Sequence, residues 1–112
     1  MKVGNKMVDI KKVSLSAMEI ITYAGLAKSN YLIALKDYKS GKKEEALKKI
    51  EEGANEFSKA HNIHSQILTD EMEKLEPQVS LLLVHAEDQL MGAESIKILV
   101  EELIEIYSER IK

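Results

Sequence analysis

The chain has 112 residues, of which 45% are hydrophobic and 31% charged, and its formal net charge is −3 at neutral pH. This length and mixture predict one globular domain. The sequence contains no cysteine, which excludes disulfides, thiolate metal sites and cysteine nucleophiles. The acidic balance argues against a nucleic-acid binder, and no apolar run is long enough to span a membrane, so we expect a soluble cytoplasmic protein.

The first helix is predicted to follow a flexible N-terminal arm over residues 1–15, which leaves residues 16–112 as the helical domain. Ser16 and Glu19 have the spacing of a capping box, in which two side chains satisfy backbone N–H groups at a helix start. Apolar side chains then recur at helical spacing as far as Tyr38. The segment Lys39-Ser40-Gly41-Lys42 is predicted to end this helix.

Two further helices are predicted after this turn. The second begins at about Lys43 and carries an apolar stripe from Leu47 to Met72. Glu76-Pro77-Gln78 interrupts it, because proline cannot continue a helix interior. The third helix, opened by this proline or by Ser80, is predicted to run to the C-terminus. Three long helices with short connections predict an all-α, antiparallel three-helix bundle.

The third helix is predicted to have two apolar faces. An inner seam, which could pack on the first two helices, comprises Leu82, Ala86, Gln89, Ala93, Ile96, Val100, Leu103 and Tyr107. An outer seam, about 130° around the helix, comprises Leu81, Val84, Asp88, Met91, Ser95, Leu99 and Ile106. Because a three-helix monomer needs only one buried stripe per helix, the outer seam calls for a partner surface, most simply copies of the same chain.

Two polar residues of the third helix depart from this pattern. Asp88 interrupts the outer seam, where a buried ionised carboxylate is costly unless it is paired or binds a cation. His85 lies between the two seams, at the border between the core and a partner. Two plainer interpretations stay open: Asp88 lies on an exposed stripe whose apolar residues are incidental, and His85 is a boundary histidine with no chemistry.

The stretch from Val79 to Met91, VSLLLVHAEDQLM, resembles the lactose/cellobiose IIA family of the bacterial sugar phosphotransferase system (PTS). The resemblance covers about Ser16 to Tyr107. Shorter matching segments lie in the first and second helices, namely Glu19-Ile20-Ile21, Ala24-Gly25, Ala27-Lys28-Ser29, and Ala60-His61 with Gln66.

The resemblance implies a phosphotransferase component that works as a homotrimer, in which three-helix subunits form a nine-helix bundle. It implies that His85 accepts a phosphoryl group from the phosphocarrier HPr and passes it to a IIB component during uptake of a β-linked disaccharide such as cellobiose, lactose or chitobiose. It also implies that Asp88 lies at the trimer axis, where three carboxylates could hold a divalent cation such as Mg²⁺.

Three positions depart from the common family pattern. Glu87 stands where glutamine is usual, Gln89 where histidine is frequent, and Lys28 where arginine is common. Gln89 lies one helical turn after His85, so it can donate a hydrogen bond to a phosphoryl oxygen there, although not as a cation. These changes keep one rival function open, that of a non-catalytic helical adaptor.

Other histidine chemistry is less favoured. A histidine phosphotransfer domain of two-component signalling usually has lysine and glycine in the turn after the active histidine, whereas Ala86-Glu87-Asp88-Gln89 follows His85 here. His61 and His64 could share a face of the second helix, and a zinc pair is conceivable. The sequence supplies neither HExxH nor a third ligand cluster for them, so packing or surface positions are favoured.

Overall fold

The computed structural model describes residues 10–77 and 79–110, which form three α-helices. Helix α1 spans Ile10–Lys39, α2 spans Lys43–Lys74 and α3 spans Leu81–Arg110. The start of α1 packs with the end of α2 and the start of α3, so successive helices are antiparallel. Helix α1 packs against both other helices, whereas α2 and α3 touch each other much less. The prediction of an all-α three-helix fold is confirmed for the described residues.

The turn from α1 into α2 follows the prediction. The N–H of Gly41 donates to the carbonyl of Tyr38 at 3.1 Å, and the N–H of Lys42 donates to the carbonyl of Asp37 at 2.8 Å. These two bonds form a Schellman motif, which satisfies carbonyls at the end of a helix and needs a left-handed residue. Gly41 supplies it with a φ of +85°, a conformation that costs glycine little.

The predicted start of α1 is wrong. The helix already includes Ile10, so residues 10–15 are helical rather than part of a flexible arm, and Ser16 lies within the helix instead of capping it. The physical reason is Val13, which is buried and extends the apolar stripe formed by Ala17 and Ile20 back toward the N-terminus. The rest of the predicted arm, residues 1–9, lies outside the described residues.

The core is built mainly from small side chains, which allow close helix approach. At one such contact, the fully buried ring of Tyr31 in α1 lies against Gly53 of α2. A Cβ added at Gly53 would lie 2.5 Å from Cε1 of Tyr31, so the absence of a side chain makes room for the ring. Burial, with a smaller contribution from the charge of Glu101, raises the pKa of the Tyr31 hydroxyl to about 12. The described residues contain no helix long and apolar enough to cross a bilayer.

The inner seam of α3 packs on the bundle along most of its length, with two corrections: Leu83 and Leu90, which the prediction assigned to neither seam, are buried, and the C-terminal end differs. Ala86, Ala93 and Val100 are buried as predicted. Leu103, assigned to the same seam, is 48% exposed, and Ile104 packs against the core in its place. Leu83 and Leu90 lie on the opposite side of Ala86 from Gln89, so the predicted seam follows one edge of the buried face, and Leu103 falls outside that face.

Candidate functional site

The candidate site lies in the first three turns of α3. Ser80 caps the helix, because its Oγ accepts a hydrogen bond from the N–H of Leu83 at 3.0 Å, as expected of a serine at this position. Leu83 and Ala86 point into the core and fix the rotation of the helix. His85 is therefore turned outward, and its side chain is exposed. An exposed imidazole at a fixed position can be reached by another protein.

Asp88 is also exposed, one turn after His85. The apolar members of the outer seam surround it and are open to solvent in the single chain: Leu81, Val84, Met91, Leu99 and Ile106. Apolar side chains aligned along one face of a helix are typical of an interface with another protein surface. Within the described part of one chain, no group of three or more His, Cys, Asp or Glu side chains is arranged to hold a metal ion.

Glu87 is held on the side of α3 that faces α2. Its Oε2 lies 2.7 Å from Nε2 of His64, and both side chains are partly buried. This distance is that of a strong hydrogen bond, strengthened by charge when the imidazole is protonated. The contact joins two helices that otherwise touch little. It also gives Glu87 a partner within its own chain, on a different side of the helix from His85.

Gln89 is held on the side of α3 that faces α1. The Nζ of Lys28 donates a hydrogen bond of 2.5 Å to the Oε1 of Gln89, and the contact is partly buried. Since residues four apart in a helix are neighbours on its surface, Gln89 is adjacent to His85. Lys28 and Gln89, both noted in the sequence as departures from the family pattern, are thus in direct contact with each other.

The two histidines of α2 have separate partners. The ring of His61 is exposed and stacks on Phe57, with 6.2 Å between centroids and 17° between planes. His64, one turn further on, is partly buried against Glu87 of α3. The two rings therefore have different neighbours, Phe57 of the same helix for His61 and Glu87 of α3 for His64.

The contacts of Lys28 with Gln89 and of His64 with Glu87 are features that sequence reasoning missed. Each residue had attracted attention separately, but pairing them requires the register between helices, which one sequence does not fix. The sequence offered one signal for these pairs, which was their chemistry: a lysine can bond to an amide, and a histidine can bond to a carboxylate. Together the two contacts anchor the side chains that flank the candidate histidine.

Comparison with known proteins identifies the family. Residues 15–108 match the family described as PTS system, Lactose/Cellobiose specific IIA subunit. The chain is 37% identical over 91 residues to the lichenan-specific phosphotransferase enzyme IIA component of Bacillus subtilis, a match that covers 81% of this chain and 83% of that protein. It is also 37% identical over 94 residues to the oligo-beta-mannoside-specific EIIA component of the same species, covering 84% and 86% of the two chains.

The fold agrees with these sequence matches. The crystal structure of the PTS cellobiose-specific enzyme IIA from Bacillus anthracis superimposes with a TM-score of 0.83 at 28% identity, covering 94% of both chains. The chain therefore belongs to the lactose/cellobiose-specific IIA family of the PTS. Components of this class are carriers in phosphoryl transfer, and the resemblance seen in the sequence is confirmed.

Proposed function

We propose that the protein is a phosphohistidine carrier, in which His85 accepts a phosphoryl group from HPr and passes it to a IIB component. The observation that carries the proposal is the exposed position of His85 on a helix whose rotation is fixed by Leu83 and Ala86. Two different partners must reach the same nitrogen in turn, and an exposed side chain on a rigid helix allows both to do so. The histidine also lies within the segment that matches the family.

The transfer needs no cofactor bound by this chain. The lone pair of an unprotonated ring nitrogen of His85 forms a bond to phosphorus, while the bond between phosphorus and the donor atom of HPr breaks and its electron pair stays with that atom. A nucleophilic side chain of IIB then forms a bond to phosphorus while the bond between phosphorus and the His85 nitrogen breaks, and that electron pair returns to the imidazole. Because phosphoryl transfer passes through a loose transition state, the chain contributes mainly position and charge stabilisation.

The change from glutamine to Glu87 is compatible with this function. Within one chain Glu87 lies on a different side of α3 from His85, but in a trimer it could approach the His85 of a neighbouring subunit, where an unpaired carboxylate would repel the incoming phosphoryl group. The 2.7 Å contact with His64 instead holds the Glu87 carboxylate toward α2 and gives it a hydrogen-bond partner within its own chain. We infer that this pair removes the main objection that the departure raises against phosphoryl transfer.

We infer that the chain assembles as a homotrimer with nine helices. The support is the outer seam, whose apolar side chains are exposed in the single chain although they follow one face of α3. Packing three copies along this seam would cover those side chains and place His85 at the edge of the interface. It would also bring one Asp88 from each subunit toward the axis.

We propose that these three Asp88 carboxylates hold a divalent cation such as Mg²⁺. Carboxylate oxygens are suitable ligands for this hard cation, and an exposed aspartate in an otherwise apolar seam has the right chemistry for a shared site. The cation would neutralise like charges that otherwise oppose assembly. A chelator should then weaken association of the wild-type protein in sedimentation experiments and leave Asp88→Leu unaffected.

We propose that the transported sugar is a β-linked disaccharide, such as cellobiose, lactose or chitobiose, and that the protein acts in the cytoplasm. The names of the relatives support a β-linked sugar, since they specify lichenan, oligo-beta-mannosides, lactose and cellobiose, of which lactose and cellobiose are disaccharides. Assays of transfer to purified IIB components of different sugar systems would identify the system that this chain serves.

Phosphorylation from labelled phosphoenolpyruvate, in the presence of enzyme I and HPr, tests the proposal. The wild-type protein should acquire acid-labile phosphate and lose it to IIB, and His85→Ala should acquire none. His61→Ala is a matched control, because it removes another exposed histidine and should leave labelling unchanged. Absence of label on the folded wild-type protein would refute the carrier function and favour a non-catalytic adaptor.

A further inference from the structure

The contact between Lys28 and Gln89 determines which way the amide of Gln89 faces. An ammonium group can only donate hydrogen bonds, so the amide atom at 2.5 Å from Nζ must be the oxygen. With its oxygen turned toward α1, the amide keeps both N–H donors for other partners. Without the contact to Lys28, the amide of Gln89 could rotate freely, and either its oxygen or its NH₂ group could then face His85.

Gln89 is the helical neighbour of His85 toward the C-terminal end of α3. Side chains four residues apart lie on the same face, within reach of a group added to the imidazole. A phosphoryl group has oxygens that only accept hydrogen bonds when ionised. It is therefore matched by the NH₂ end of the amide and would be repelled by its oxygen.

We propose that Lys28 is a positioning residue for phosphoryl transfer: it holds Gln89 with its NH₂ group turned toward the phosphoryl group on His85. This inference rests on the carrier function proposed for His85. No bond is made or broken by Lys28 or Gln89 in this step; Gln89 donates a hydrogen bond to a phosphoryl oxygen, and Lys28 fixes the donor. The ammonium also adds positive charge on the side from which Gln89 approaches.

The equilibrium of transfer from HPr measures this interaction. At a fixed ratio of phosphorylated to free HPr, loss of one hydrogen bond should lower the ratio of phosphorylated to free protein by about three- to tenfold. Lys28→Met should show this loss, and Lys28→Arg, which restores a cationic donor, should recover at least half of it on a logarithmic scale. Lys36→Met is a matched control, because it removes an exposed lysine of the same helix and should have no effect.

Gln89→Glu separates positioning from simple helix packing. The glutamate can still accept from Lys28, so the bridge between α1 and α3 is preserved, but it has no N–H to donate. It should lower the phosphorylated fraction at least as much as Lys28→Met while circular dichroism and thermal stability stay close to wild type. The new carboxylate also repels the phosphoryl group, and high salt screens that part of the loss. A bridge that is only structural predicts an equilibrium that returns to the wild-type value at high salt.

Nuclear magnetic resonance gives a second readout. The side-chain NH₂ signals of Gln89 should shift when wild-type protein is phosphorylated and should shift much less in Lys28→Met. A wild-type equilibrium in both Lys28→Met and Gln89→Glu, with normally labelled wild-type protein, would overturn the positioning role alone. If the wild-type protein takes no phosphate, the carrier function itself fails, and the inference fails with it.

Discussion

Replacing Gly53 by alanine tests the contact between Gly53 of α2 and the Tyr31 ring of α1. The added Cβ would lie 2.5 Å from Cε1 and 2.8 Å from Cδ1 of the Tyr31 ring. Carbon atoms in contact prefer a separation of about 3.5–4.0 Å, so the ring or the helix must move by about 1 Å. The ring cannot turn into solvent, because Tyr31 is fully buried. The substitution should therefore destabilise the protein although alanine is the better helix former.

Two opposing effects set the magnitude. Alanine favours a helix over glycine by about 1 kcal/mol, whereas overpacking a buried position costs about 1–3 kcal/mol. We expect a net loss of about 1 kcal/mol in the free energy of unfolding. Gly25→Ala is the control, since its added Cβ meets no atom within 4 Å. Gly25→Ala should gain only the stabilisation that alanine gives a helix. The difference in the free energy of unfolding between Gly53→Ala and Gly25→Ala therefore measures the cost of overpacking.

Urea unfolding followed by circular dichroism, at one protein concentration, measures both free energies. The same substitution should cost less in a Tyr31→Leu background, because the smaller side chain removes the ring that Cβ would strike. A double-mutant cycle measures this coupling directly. If Gly53→Ala were as stable as Gly25→Ala, or if the cycle gave no coupling, the contact would not limit helix approach and the reasoning would be refuted.

Three further substitutions have defined outcomes. His85→Ala should leave helicity and sedimentation unchanged because the side chain is exposed; loss of helicity in circular dichroism would contradict that position. With a chelator present, Asp88→Leu should associate more strongly than the wild-type protein in sedimentation, because it removes like charges that no cation then neutralises; easier dissociation under these conditions would contradict the prediction and make Asp88 a required pairing partner. Burial raises the pKa of Tyr31 from 10.0 to about 12. The protonated hydroxyl therefore makes its full contribution to the free energy of unfolding below pH 10, and this contribution is lost as the pH rises toward 12. Tyr31→Phe should lack this alkaline loss, and identical unfolding profiles above pH 10 would refute it.

The boundaries that the sequence predicted well are those imposed by local backbone chemistry. Gly41 takes a left-handed conformation that most residues avoid, and Ser80 satisfies an N–H group at the start of α3. The start of α1 was wrong because Ser16 has the side chain of a cap but nothing breaks the helix before it. Burial of Val13 continues the helix, and tertiary packing decides such a case rather than the local motif.

The candidate site was predictable only in part. The angular position of His85 between two seams follows from helix geometry, and the structure places the side chain on the surface of α3. The partners of its neighbours were not predictable, because contacts such as Lys28 with Gln89 depend on how far one helix is shifted along another. Periodicity along a single helix contains no information about that shift.

The outward position of His85 has a consequence for the speed of the relay. A phosphoryl group attached to this side chain would enter water rather than the core. The phosphorylated and unphosphorylated protein can therefore share one folded conformation, and no lid has to open. If His85 carries the phosphoryl group as proposed, turnover would then be governed by how often the upstream and downstream proteins meet this surface and how quickly they leave it. Cellular abundance of those proteins, rather than internal motion of the carrier, would set the rate of sugar entry at this step.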